Sequence, residues 1–273
     1  MGVLPGADEA PGSQKTERTS MLDGTEKINN RNIANVAPLR NVKLLGALIQ
    51  QLQHREPDMP GMGCFHGFSG YGKSSAATYN AQVYDACWVE VKSVWSRKVF
   101  VRKVAEALGL TPAGLISDMV DQIGEELAKS GRPLLLDEAH QLCRDEMMGV
   151  VHDIYVSSHG SAMVLIGEEM LPQKLKRWER IHNRMLGWPA AQPADLRETA
   201  ILARLKQPAL KIGEDVLQVI LEKSAANYRR IVTNLNQMKL HSLETGRDEI
   251  TMADVPKIEF FVGEAPTPRR TGA

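Results

Sequence analysis

From Pro38 to Gln53, apolar Leu39, Val42, Leu45, Leu48, Ile49 and Leu52 recur at helical spacing and predict an amphipathic helix. A Pro/Gly-rich connector over 55–63 follows, and Gly63-Cys64-Phe65-His66 then predicts a short buried strand. The same alternation continues down the chain. Helices are expected over Ser74–Ala81, Lys98–Leu108 and Asp145–Ser157, and strands over Ala86–Val91, Pro133–Glu138 and Ala162–Gly167. A further helix is expected to start at Thr111-Pro112, with Thr111 as cap and Pro112 at the first helical position. It runs to Lys129 and stops at Ser130-Gly131. Strands alternating with helices predict an α/β fold with a parallel sheet covered on both faces.

Beyond Trp188 the pattern changes. Asp195–Leu205, Gly213–Ala225 and Tyr228–Leu243 all read as helices with no strand between them. The expected organisation is a flexible tail over 1–28, a nucleotide-binding α/β domain over 29–190, a small helical domain over 191–262 and a second flexible tail over 263–273. No internal repeat is visible.

Composition narrows the class. Lys+Arg and Asp+Glu are both 33, so the whole-chain charge makes no case for nucleic acid and any such case needs a local patch. Cys64, Cys87 and Cys143 show no paired spacing, which argues for a reducing compartment and against a disulfide scaffold or zinc site. No apolar run approaches membrane-spanning length, and the N-terminus has neither a signal-peptide core nor a myristoylation pattern. The expectation is a cytoplasmic protein without membrane partners.

The chemistry concentrates at Gly67-Phe68-Ser69-Gly70-Tyr71-Gly72-Lys73-Ser74, which fits the phosphate-binding loop pattern at every required position. A backbone that wraps a triphosphate must turn several N–H groups inward. Gly67, Gly70 and Gly72 permit that close approach. Lys73 supplies a point charge beside the β- and γ-phosphates, and Ser74 offers a hydroxyl to Mg²⁺. Ser75 continues the site into the helix whose positive end faces the phosphates. ATP and Mg²⁺ are the expected ligands. In Leu134-Leu135-Leu136-Asp137-Glu138 a buried strand delivers two acids. Asp137 is expected to hold Mg²⁺ and Glu138 to polarise the attacking water. Paired acids of this kind fit NTP hydrolysis better than phosphate transfer to a small molecule.

The phosphate loop, Asp137-Glu138-Ala139-His140, an apolar strand ending in Gly167, an arginine cluster and a three-helix lid together resemble an AAA+ ATPase. Over about residues 30–260 the chain is similar to the ATPases that serve DNA transposition, the B proteins of Mu-like phages and related transposon target selectors. The resemblance implies an ATP-dependent ATPase that forms a ring or filament on duplex DNA, delivers target DNA to a transposase and stimulates it, and disassembles on hydrolysis in a bacterial or phage-infected cell. It places sensor 1 at Glu168, where the family usually has Asn, Thr or Ser. It places sensor 2 at Arg229, with Arg230 as the fallback. The arginine finger that reaches into the neighbouring subunit falls to Arg184 or Arg180, of which Arg184 is preferred.

For DNA, the best local patch holds Lys92, Ser96, Arg97, Lys98, Arg102 and Lys103 with no acid among them. It lies at the rim of the sheet and the start of a helix, which suits sequence-independent contact with phosphate backbones. In the related transposition ATPases this region lines the pore around DNA. A solvated helix face over Trp95 explains the same residues. His140 is read as a packing partner of Glu138 more readily than as a helper, and the histidines have no metal-ligand spacing. Two other functions fit the motifs. One is a helicase-loading or replication-initiation ATPase, and the other is a signalling or secretion-linked ATPase that binds no DNA.

Overall fold

The computed structural model describes residues 38–263, so both predicted tails, apart from Gly263, lie outside the described residues. The chain opens with α1 (Arg40–Gln53), then β1 (Met62–His66), α2 (Lys73–Val83), β2 (Cys87–Glu90), α3 (Arg97–Ala107), α4 (Ile116–Ser130), β3 (Leu134–Asp137), α5 (Asp145–Ser157) and β4 (Met163–Gly167). Two short helices, α6 (Leu171–Leu175) and α7 (Glu179–His182), lead to β5 (Met185–Gly187). All strand pairs of the five-stranded sheet are parallel, in the order β2-β3-β4-β1-β5. The result is an α/β architecture with a parallel sheet covered by helices on both faces, as the alternation predicted.

Parallel strands buried on both faces divide their side chains between two cores. Leu134, Leu136, Cys64 and Leu165 point to the side covered by α3, α4 and α5, with Phe100, Ile123 and Ile154 among the partners. Leu135, Phe65, Val164 and Ile166 point to the side covered by α1 and α2. Leu134, Leu135 and Leu136 are all 0% exposed, and each such burial stabilises the fold by roughly 2 kcal/mol. Helix α2 carries little apolar surface. It packs close to α1 through Ala76, Ala77 and the buried Asn80, whose Nδ2 donates to the Val42 carbonyl at 2.9 Å. Gly46 on α1 keeps that approach open, since a Cβ there would lie 2.9 Å from Asn80 Oδ1.

Register brings the chemistry to one edge. His66 pairs with Gly167, and the Gly67 N–H donates to the Gly167 carbonyl at 3.3 Å. Asp137 ends β3 opposite Glu90. The C-terminal ends of β1, β3 and β4 therefore form one rim, the usual ligand edge of an open α/β sheet.

Three helices follow: α8 (Leu196–Lys206), α9 (Glu214–Lys223) and α10 (Tyr228–Thr245). They close over their own core of Leu202, Val216, Ile220, Ile231, Leu235 and Met238. A buried polar knot ties them to α1. Glu198, 5% exposed, accepts the Arg40 N–H at 2.6 Å and the Tyr228 hydroxyl at 2.6 Å, and Arg40 also pairs with Asp195. Burial, then the bond to Glu198, push the Tyr228 hydroxyl far up from its ordinary pKa, so it stays a donor.

Several local expectations change. Helix α4 begins at Ile116 and not at Thr111-Pro112, because Gly114 takes a left-handed φ of 85° that a helix cannot continue through. Asp118 instead caps the start, its Oδ2 accepting the Leu115 N–H at 3.0 Å. The helical region is not free of strand: β6 (Lys211–Ile212) pairs in parallel with β7 (Glu249–Ile250). Strand β5 escaped the sequence pattern because it is a three-residue edge strand with an irregular register against β1. No helix among the described residues is long and apolar enough to cross a membrane.

Candidate functional site

The phosphate loop leaves β1 and enters α2. Gly72 has a φ of 76° and nothing within 4 Å of where a Cβ would sit, so the backbone conformation alone selects glycine there. Gly70 has a φ of 80° and also lacks room, since a Cβ would lie 2.3 Å from Asn227 Oδ1. Lys73 Nζ donates to the Gly67 and Phe68 carbonyls at 2.7 and 2.9 Å. Burial pushes its ammonium below the usual range, while the carboxylates of Glu138, Asp137 and Glu169 oppose that shift. Phe68 is exposed and meets Tyr71 edge to face, with ring centroids 5.7 Å apart.

Asp137 is 1% exposed, and burial raises its pKa against the opposing pull of the Ser74 hydroxyl and the Glu138 N–H. Its Oδ1 accepts that N–H at 2.9 Å, while Oδ2 is buried without a hydrogen-bond partner among the described residues. An orphaned carboxylate oxygen beside a serine hydroxyl is a donor set suited to a hard divalent cation. Glu138 sits at a left-handed φ of 55°, a costly position for a non-glycine residue that turns its side chain into the cleft. His140 Nδ1 lies 3.3 Å from Glu138 Oε2.

Two clefts meet at the loop. The first, about 410 Å³, is lined by 69–75, Glu138 and Arg229, with an apolar wall of Leu39, Val42, Leu202 and Val232. That wall comes from α1 on one side and from α8 and α10 on the other. The second brings Phe68, Lys73, Glu138, His140 and Glu168 together with Asn227 and Arg230. Arg229 therefore faces the first cleft and Arg230 the second. Glu168 reaches the site, but its carboxylate is held by Lys174, which lowers its pKa and neutralises the acid that sensor 1 would present. Arg184 lines neither cleft. Its guanidinium lies over the Tyr155 ring at 5.8 Å and donates to the Arg180 carbonyl at 2.7 Å, while Arg180 is exposed. The Arg184 carbonyl accepts the N–H of Met62, which begins β1, so Arg184 stands at the sheet end opposite the loop.

The basic stretch is less uniform than its sequence. Folding brings Glu106 against Lys103 at 2.7 Å and Arg102 at 3.7 Å, and Glu146 against Arg97 at 3.7 Å. Lys92 and Lys98 are exposed with no ion pair among the described residues. Ser96 caps α3, its hydroxyl accepting the Val99 N–H at 3.4 Å, and Arg144 adds a cation by donating to the Trp95 carbonyl at 3.1 Å.

Sequence reasoning missed Asn227, Asn41 and the apolar wall. Asn227 accepts the Arg229 and Arg230 N–H groups at the start of α10 and donates to the Ser69 carbonyl at 2.8 Å. Its capping role was legible from Asn at a helix start, but its reach to the loop was not. Just before it, Ala225 and Ala226 take left-handed φ values of 48° and 54°. Each Cβ there is strained. Ala226→Gly is expected to raise thermal stability by roughly 0.5–1 kcal/mol, read as a higher melting midpoint. An unchanged or lower midpoint would mean that the strain is not borne at this residue.

An AAA domain matches residues 55–175. No curated protein matches significantly in sequence. Among solved structures, the chain is similar to the Aeropyrum pernix ORC2 protein in its ADPNP-ADP complexes, with a TM-score of 0.62 at 14% identity over 77% of this chain and 65% of that one. It is similar to the Aeropyrum pernix ORC1 protein in complex with DNA, with a TM-score of 0.60 at 15% identity over 82% and 65%. It is also similar to Cdc6p from Pyrobaculum aerophilum, with a TM-score of 0.58 at 16% identity over 91% and 68%. The chain thus spans about two thirds of the length of these relatives, and at such identity the likeness establishes the fold.

Proposed function

We propose that this chain is an AAA+ ATPase that takes ATP between its α/β body and its helical lid, hydrolyses it, and couples nucleotide state to assembly on duplex DNA, in the manner of a replication-initiation or helicase-loading ATPase. The observation that carries the proposal is convergence. The phosphate loop, Glu138 just after β3 and Arg229 from the lid line one cleft with an apolar wall suited to a base. The structural relatives support initiation more than delivery of target DNA to a transposase, which has only the motif resemblance behind it.

In this reading the loop N–H groups and Lys73 hold the phosphates. Ser74 and Asp137 would hold Mg²⁺, which when bound neutralises charge on the β- and γ-phosphates. Glu138 takes the proton of the attacking water, and the His140 ring lies beside its carboxylate, with Nδ1 3.3 Å from Oε2. Arg229 reads the terminal phosphate from the lid, so that nucleotide state biases lid position. Arg184 stands at the sheet end away from this chain's own loop, so an arginine finger from this region would act on a neighbouring copy. Arg180 is the freer of the two candidates, because Arg184 is engaged by Tyr155 and the Arg180 carbonyl.

Titration of duplex DNA with and without ATP, at two salt concentrations, tests the DNA half of the proposal. ATP-dependent binding that weakens with salt is expected. Replacing Lys92 and Lys98 with alanine should flatten the log K against log salt slope by about 0.9 for each phosphate no longer neutralised. An unchanged slope would move the DNA surface elsewhere. Capture of a replicative helicase by the full chain favours initiation, and capture of a transposase favours target delivery.

A further inference from the structure

The phosphate loop does not hold its shape alone. Three successive carbonyls, those of Ser69, Gly70 and Tyr71, accept hydrogen bonds from outside the loop. Asn227 Nδ2 donates to Ser69 O at 2.8 Å, the Arg229 N–H to Gly70 O at 3.2 Å, and Asn41 Nδ2 to Tyr71 O at 2.8 Å. The donors come from two elements: α10 in the lid supplies the first two and α1 the third.

Geometry gives these bonds a consequence. The described peptides are all trans, and in a trans peptide the N–H points away from the C=O of the same unit. The carbonyls of Ser69, Gly70 and Tyr71 belong to the same planes as the N–H groups of Gly70, Tyr71 and Gly72. Fixing the carbonyls outward aims the N–H groups of Gly70 and Gly72 to the opposite side, where a phosphate would sit, while the Tyr71 N–H closes a turn onto the Phe68 carbonyl at 3.4 Å. Both asparagines are anchored elsewhere. Asn41, 3% exposed, also donates to Gln192 O at 2.8 Å and accepts the Gln192 N–H at 2.8 Å. Asn227 caps α10 behind the strained pair Ala225-Ala226 and occupies the space that a Cβ on Gly70 would need.

We propose that Asn227 and Asn41 are positioning residues that orient the phosphate-binding N–H groups by clamping the loop's carbonyls from the lid and from α1. The lid would thus shape the part of the site that holds the α- and β-phosphates, a role separate from reading the γ-phosphate through Arg229. The proposal rests on the nucleotide-site reading above, and it predicts a signature of its own. A clamp on N–H groups common to ADP and ATP must affect both nucleotides alike.

The test is Asn227→Ser. Serine keeps a capping acceptor for α10 but is too short to reach Ser69 O. Dissociation constants for ADP and ATP, measured on the full chain, should both rise about tenfold, with the ratio between them unchanged. KM for ATP should rise while kcat holds, and the melting midpoint without nucleotide should stay near that of the wild type. Loss confined to ATP would assign Asn227 to γ-phosphate sensing and overturn the proposal, as would unchanged affinity for both nucleotides. If Asn227→Ser fails to fold, Asn227→Thr carries the same measurement, since threonine also keeps a capping hydroxyl, is too short to reach Ser69 O and adds no charge. Wild-type protein that binds neither nucleotide would refute the nucleotide-site reading itself, an outcome distinct from a silent Asn227 variant.

Discussion

Lys73→Ala is expected to abolish measurable ATP binding while the chain stays folded. The side chain sits at the start of α2, and its hydrogen bonds among the described residues are to the Gly67 and Phe68 carbonyls of its own loop. No apolar core is disturbed by its removal. What disappears is the cation that faces Asp137, Glu138 and Glu169 across the cleft. Without it, these carboxylates confront a polyanion with Arg229 left to oppose them. Truncating one partner of a desolvated charge pair costs about 2–5 kcal/mol, so affinity should fall by at least roughly thirtyfold. Calorimetric titration with ATP measures it directly, and circular dichroism checks the fold. Affinity within a few fold of wild type would end the assignment of residues 67–74 as a phosphate cradle.

Glu138→Gln separates binding from chemistry. The amide is close in size to the carboxylate and keeps the left-handed backbone and the approach to His140, but it cannot take a proton. ATP affinity should hold or improve, because one negative charge leaves the cleft. Turnover should drop by about 10²–10⁴-fold, the usual contribution of a general base. Steady-state phosphate release gives the rate, and the same preparation should show longer-lived assemblies with ATP on DNA. A rate reduced less than about tenfold would transfer the water-orienting role to another residue. Glu168 is a poor substitute, since Lys174 already neutralises it.

Much of the site could be read before folding was considered, because its parts are local. Gly67 to Ser74 is contiguous, and a left-handed glycine, a lysine and a serine at fixed spacing state their geometry in the chain itself. Asp137 and Glu138 end a short apolar run that reads as a buried strand and proves to be one. The pieces that escaped reading depend on residues far apart in sequence. Asn227 and Asn41 are ordinary polar residues at helix starts, and only the docking of α10 and α1 against the loop makes them neighbours of Ser69 and Tyr71. The basic stretch lacks acids along the chain, yet Glu146 reaches Arg97 from a different helix. Helix α4 began later than expected because Gly114 adopts a conformation that Thr111-Pro112 does not announce.

The chain alone determined the alternation of strands and helices, and hence a parallel sheet with its phosphate loop and acids on one rim. Hydrophobic period and glycine placement act over a few residues and do not depend on distant partners. Tertiary structure alone decided which cations stay unpaired, which acids are neutralised, and which side chains lock the loop's carbonyls. Charge and hydrogen-bond satisfaction are properties of neighbours in space, and those neighbours exist only once α1 and the lid have closed on the sheet.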